Sequence, residues 1–148
     1  MAKFIICDCA KANWGKTTTL IEVEKLFNLS PLFSSLQRSD WGKDVWAVYE
    51  RISDKRIFVI QTEGDYKKSF NNTIQYAKEG KVDIIICACR DDNRYKERVD
   101  YIAKTFAFEK IFFNNFCPSK KAFRKIPALN YANKVSLPNA IFTLSQNI

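Results

Sequence analysis

At 148 residues the chain has the length of one ordinary domain, enough to bury a core without disulfides or a structural metal. Apolar residues make up 47% and aromatics 14%, which excludes a disordered chain, and the absence of histidine excludes Ser-His and Cys-His nucleophilic catalysis and any histidine-ligated metal. The net charge of +8 has a location: residues 1–89 hold 13 lysines and arginines against 11 acids, residues 90–134 hold 11 against 5, and residues 135–148 hold none.

No apolar run approaches the roughly 20 residues that a spanning helix needs. The start reaches Asp8 before any apolar region of secretory-signal length. The expectation is therefore a cytoplasmic protein without membrane contact. Four of the five cysteines lie in apolar stretches, which fits reduced thiols in a core better than a disulfide frame.

Residues 3–8 are short and apolar and read as a buried strand running into a loop. Leu20, Ile21, Val23, Leu26 and Phe27 recur at helical spacing, so residues 17–27 form a helix, broken at Ser30-Pro31. Residues 28–44, with Pro31, Trp41, Gly42 and four serines, read as a long irregular loop, or a short helix within one. Residues 44–52 and 56–61 are two strands at hairpin spacing. Residues 65–79 form a helix ended by Gly80, residues 82–89 the central strand, 92–106 an amphipathic helix and 108–114 a further strand. Residues 115–134 read as a basic loop, and 133–146 as a final helix that Pro138 argues against. Strands that alternate with helices imply a mostly parallel sheet covered on both faces, with about five strands in one domain spanning residues 1–148.

The segment Ala10-Lys11-Ala12-Asn13-Trp14-Gly15-Lys16-Thr17 matches the phosphate-loop pattern G-x-x-x-x-G-K-[ST] except that Ala10 replaces the first glycine. Its flanks are the required strand and helix. Consecutive backbone N–H groups in such a loop wrap phosphates, and the following helix directs its positive end at them. The chain thus resembles the P-loop NTPases over residues 3–114. The resemblance implies a three-layer α/β/α fold with an antiparallel hairpin at one edge. It also implies binding of ATP and Mg²⁺ through residues 10–18, with Lys16 between the β and γ phosphates and the hydroxyl of Thr17 on the metal. Thr18 continues the loop into its helix. Asn13 to Thr19 looks like the N-x-G-K-T-T loops of small kinase-like and GTPase-like members. Lys11 resembles the first lysine of the partition and iron-protein ATPases, which would imply a homodimer, although Ala12 and Asn13 replace that group's glycines.

Gln61-Thr62-Glu63-Gly64 looks like the D-x-x-G switch with its aspartate lost, leaving Glu63 and Asp65 as replacement catalytic acids, Asp65 also as a metal ligand, and Asp8 as a third candidate. An N-cap role is the plainer reading of Asp65. Arg90 and Arg94 follow the central strand, on the side where open α/β sheets hold ligands, and Arg90 or Arg94 would touch the transferred phosphate or an acidic substrate, the alternative being a solvated helix start. Lys120, Lys121, Arg124 and Lys125, within the basic stretch 117–134 that includes Phe123 and Tyr131, would close over a triphosphate as a lid; the alternative is a grip on nucleic acid or a protein. Asn133-Lys134-Val135-Ser136 lacks the aspartate of a guanine motif, which favours ATP over GTP. The leading function is a small ATPase or a nucleotide-kinase-like phosphotransferase, and the rival is a nucleotide-gated binding module; Arg38 and Trp41 would serve either, as substrate or partner surface. Cys7-x-Cys9 and Cys87-x-Cys89 end strands that should be neighbours and read as core thiols, with a four-cysteine metal site as the alternative.

Overall fold

The computed structural model describes residues 1–10, 16–63, 67–90, 93–115 and 127–148. Six strands, β1 (Lys3–Ala10), β2 (Phe33–Trp41), β3 (Asp44–Arg51), β4 (Ile57–Gln61), β5 (Ile84–Arg90) and β6 (Phe108–Asn114), form one sheet in the order β2-β3-β4-β5-β1-β6. β1 pairs in parallel with β5 and β6, and β4 with β5; β3 is antiparallel to both β2 and β4. The helices are α1 (Lys16–Leu29), α2 (Lys67–Lys78), α3 (Asn93–Phe106), the short α4 (Pro127–Tyr131) and α5 (Leu137–Asn147), with a π-helical turn, Ala132–Ser136, between the last two.

Side-chain alternation divides the core into two layers. Ile5, Cys7 and Cys9 of β1 and Ile85, Cys87 and Cys89 of β5 pack against Phe70 and Ala77 of α2 and Val99, Ile102 and Ala103 of α3. Ile6 of β1 and Ile84, Ile86 and Ala88 of β5 pack against Leu20, Val23 and Phe27 of α1 and Leu137 and Ile141 of α5. Strands buried on both faces lose the alternation of polar and apolar residues, which is why β1 and β5 read as continuous apolar runs. On the α1 side, Phe27 lies at the centre of a ring cluster, 4.3 Å from Phe33, 5.5 Å from Tyr49 and Phe58 and 5.3 Å from Phe142 between centroids.

Three expectations need correction. The stretch 28–44 is not an irregular loop: Phe33–Trp41 is an edge strand, with a register irregularity between Ser35 and Gln37. An edge strand needs no apolar alternation, and among the described side chains of β2 only Phe33 is drawn into the core. Second, the sheet has six strands among the described residues instead of five. Third, residues 127–134 are helical, and Pro138 does not spoil α5 because it lies in the first turn, where no intrahelical N–H is needed. The hairpin of β3 and β4, the strand 108–114 and the stop of α2 follow expectation. Gly80 adopts φ +68°, and the bonds Gly80 N–H to Ala77 O and Lys81 N–H to Tyr76 O close the helix end as a Schellman motif. No helix among the described residues is long and apolar enough to cross a membrane.

Two outcomes follow from this packing. Phe27→Ala should lower unfolding free energy by about 3–5 kcal/mol in urea denaturation, because four rings lose their common neighbour; a loss below about 1 kcal/mol would contradict the packing. Ala107, between α3 and β6, holds φ +61°, where a Cβ is strained. Ala107→Gly should stabilise by roughly 1 kcal/mol in the same measurement, and destabilisation would contradict that backbone assignment.

Candidate functional site

β1 and β5 are in register from Phe4↔Ile84 to Ala10↔Arg90, so their carboxyl ends stop side by side. The chain leaves β1 for α1 on one face of the sheet and leaves β5 for α3 on the other. Such a reversal of helix direction at two strand ends is the place where open α/β sheets bind ligands in a crevice.

α1 begins at Lys16, which is 8% exposed, with Thr17 half-buried and Thr18 exposed behind it. The first-turn N–H groups of a 14-residue helix lack intrahelical acceptors and carry a partial positive charge. Thr19 is buried and structural. Its hydroxyl donates to the Asn133 carbonyl at 2.8 Å and lies 3.4 Å from Asn115 Oδ1, while Asn115 N–H reaches Cys9 O at 3.4 Å. These bonds brace the start of α1 against the end of β6 and the π turn. Asn133 therefore belongs to this brace, and Tyr131 and Lys134 are exposed.

Asp8, also from β1, is fully buried, and neither carboxylate oxygen has a hydrogen-bond partner among the described residues. Burial pushes its carboxyl up to about 8; the Cys9 thiol adds to the rise, and the Lys16 ammonium opposes it. Near neutral pH the group is thus a protonated acid that faces a cation at the foot of α1. Residue type alone could not announce this, because the burial comes from α1 closing over that face of β1.

The second motif sits differently from the first. Gln61 ends β4, which β5 separates from β1. Gln61 is fully buried: its Nε2 donates to Glu63 O at 2.8 Å, its Oε1 accepts from the Thr73 hydroxyl at 2.7 Å, and Trp46 Nε1 donates to the same hydroxyl at 3.1 Å. Both ends of the amide are used in joining β3, β4 and α2. The amide at this position therefore has a structural role. Glu63 is half-buried at the same strand end. Arg38, read as partner surface, is engaged at home: its guanidinium meets Glu24 at 2.9 Å and Asp40 at 2.7 Å, and Tyr49 Oη donates to Glu24 at 2.7 Å. The acidic partners raise the Arg38 pKa, with the Glu24 hydrogen bond the largest cause.

Lys11, Ala12, Asn13, Trp14, Gly15, Gly64, Asp65 and the cluster Lys120, Lys121, Phe123, Arg124 and Lys125 lie outside the described residues, as do the side chains of Ala10, Trp41, Arg90 and Arg94. The cysteines of β1 and β5 are neighbours as expected. Cys7 Sγ is 3.6 Å from Cys9 Sγ and 3.8 Å from Cys87 Sγ, all buried and unbridged. Burial, followed by hydrogen bonds with the other three thiols, pushes the Cys7 thiol well up. Comparison with known proteins finds no matching family model, curated protein or solved structure.

The Asp8 environment has a measurable consequence. Its carboxyl titrates near 8 in the folded state and near 3.8 in the unfolded chain. Between these values the folded state holds a proton that the unfolded state lacks, so stability falls as pH rises through that window and the loss is complete above it. Asp8→Asn removes this titration. With chelator present, the variant should be increasingly more stable than the parent in urea from about pH 5 to about pH 8.5. A constant difference across that range would show that Asp8 ionises normally.

Proposed function

We propose that the crevice above β1 and β5 binds the phosphates of a nucleoside triphosphate, with ATP preferred, and that the protein is a small ATPase or phosphotransferase of the P-loop kind. The observation that carries this reading is the placement of Lys16. The lysine of the Gly-Lys-Thr sequence opens a 14-residue helix directly after β1, at the point where the helices following two adjacent parallel strands leave on opposite faces.

The chemistry follows from the groups around that point. The open N–H groups of the first turn of α1 and the Lys16 ammonium supply fixed positive charge for a polyphosphate. Thr17 presents a hydroxyl at the same turn, suited to Mg²⁺ beside phosphate oxygens, with Asp65 the acid proposed to share the ion. The ion would neutralise charge on the transferring phosphoryl group. Arg90, from the end of β5, is the proposed second cation at the crevice, and the basic stretch 117–134 the proposed lid. A bound polyphosphate would draw on the Lys16 charge that Asp8 now feels, which leaves Asp8 still more firmly protonated and without repulsion toward the anion.

Gln61, tied to Glu63 and Thr73, supports slow chemistry, since a neutral amide occupies the place of the usual acid. The proposed catalytic acids are then Glu63 and Asp65. This same feature favours the second reading, a nucleotide-gated binding module whose partner would be a protein, nucleic acid or second copy of the chain. Product analysis with ATP alone and with candidate acceptors separates the two.

Titration with a non-hydrolysable ATP analogue and Mg²⁺ should show saturable binding. Lys16→Ala should weaken it by about tenfold to a hundredfold, the worth of a charged hydrogen bond to phosphate. Unchanged affinity in a folded Lys16→Ala protein would end the phosphate-loop reading.

A further inference from the structure

The carboxyl ends of β1 and β5 carry four cysteines on one face of the sheet, and nothing in the nucleotide reading uses them. Cys7 and Cys87 are register partners, as are Cys9 and Cys89, and residues two apart on a strand share a face. The sulphurs of Cys7, Cys9 and Cys89 all lie within 4.8 Å of one another, with Cys7 and Cys9 at 3.6 Å and Cys87 3.8 Å from Cys7. Three thiolates held about 2.3 Å from one ion at tetrahedral angles stand about 3.8 Å apart, so the observed spacing needs little rearrangement to close on a metal.

A metal site also needs a way in. A cavity of ≈ 310 Å³ between α3 and β6 reaches Cys9, with Asn114, the register partner of Cys9, and Lys96 among its walls. The cavity lies where α3 packs over β5 and β6, at the end of the outermost strand, where Phe112 and Asn114 are exposed. Cys9 itself is 3% exposed and lines the cavity, while Cys7 and Cys89 are fully buried beside it. With no histidine in the chain and, among the described residues, three cysteine sulphurs converging here, the donor set selects soft, thiophilic ions over Mg²⁺ or Ca²⁺.

We propose that Cys7, Cys9 and Cys89 form a three-thiolate site for a thiophilic closed-shell ion, Zn²⁺ or Cu⁺, entered through the cavity beside β6, with Cys87 adjacent. Each thiol gives up its proton as its sulphur bonds the ion, and the sulphur oxidation state does not change. The site is independent of the nucleotide reading, since it faces α2 and α3 while Lys16 and Asp8 lie on the α1 side.

The test uses the whole reduced protein, freed of metal and handled without oxygen. Zn²⁺ alone and Cu⁺ alone are each titrated against a chromophoric chelator, which also shows which of the two the site takes. Co²⁺ serves as a separate probe whose sulphur-to-metal charge-transfer absorption reports thiolate ligation directly. One ion per chain should bind, the Co²⁺ form should show that absorption, and Cys9→Ser and Cys89→Ser should each weaken binding by roughly a hundredfold or more. Cys117→Ala should leave binding unchanged. Absence of chelator-resistant Zn²⁺ and Cu⁺ together with absence of the charge-transfer band in the native protein would overturn the proposal, whatever the variants do. So would binding that survives in folded Cys9→Ser or vanishes in Cys117→Ala.

Discussion

The parallel pairing of β1 with β5 is the constraint on which the rest of the molecule depends. Seven consecutive residue pairs, Phe4↔Ile84 to Ala10↔Arg90, bring together segments some 80 positions apart. Parallel neighbours cannot be joined by a tight turn, so each strand is followed by a helix that crosses a face of the sheet. Because β1 feeds α1 on one face and β5 feeds α3 on the other, both faces of the pair are buried and their carboxyl ends stop side by side. The fold therefore concentrates its core and its crevice in the same two strands.

That coincidence explains the chemistry of the strand ends. Large aliphatic residues fill the middle of both strands, as Ile5, Ile6 and the run Ile84 to Ile86 do. Toward the crevice they give way to Cys7, Asp8, Cys9 and to Cys87, Ala88, Cys89. The pleat sends the thiols to the α2–α3 side and Asp8 to the α1 side. Burial acts on both in the same direction: it favours the neutral thiol at Cys7 and the neutral acid at Asp8, because neither has a fixed cation close enough to offset lost hydration in full. Groups that are costly to ionise, placed under an open crevice, are the ones whose state a bound anion or cation would change most.

Much of this was legible in the sequence, for identifiable reasons. β1 and β5 are apolar runs, β6 is a short strand rich in phenylalanine, and α1 and α3 carry apolar residues at helical spacing, so local pattern and tertiary environment agree. The neighbouring placement of the two Cys-x-Cys pairs follows from the strand order that the Gly15-Lys16-Thr17 resemblance implied. β2 was hidden because an edge strand whose outer side faces solvent has no need of alternation; its serines and Pro31 speak for a loop, and its partner β3 decides otherwise. α4 and the π turn were hidden because Asn115 and Asn133, far apart in sequence, are fixed by Thr19 rather than by local periodicity. Gln61 shows the same limit: the lost acid was visible, but the reason for an amide, its bonds to Glu63 and Thr73, depends on α2 packing against β4.

The central claim is that the crevice above β1 and β5 is the ligand site. Amide chemical-shift mapping of the labelled protein with a non-hydrolysable ATP analogue and Mg²⁺ tests it most directly. The account predicts the largest shifts at residues 10–18 and 90–94, on both walls of the crevice, with Asp8 included. Shifts confined to the groove between α2 and α3 or to the edge strand β2, with residues 10–18 silent, would contradict it.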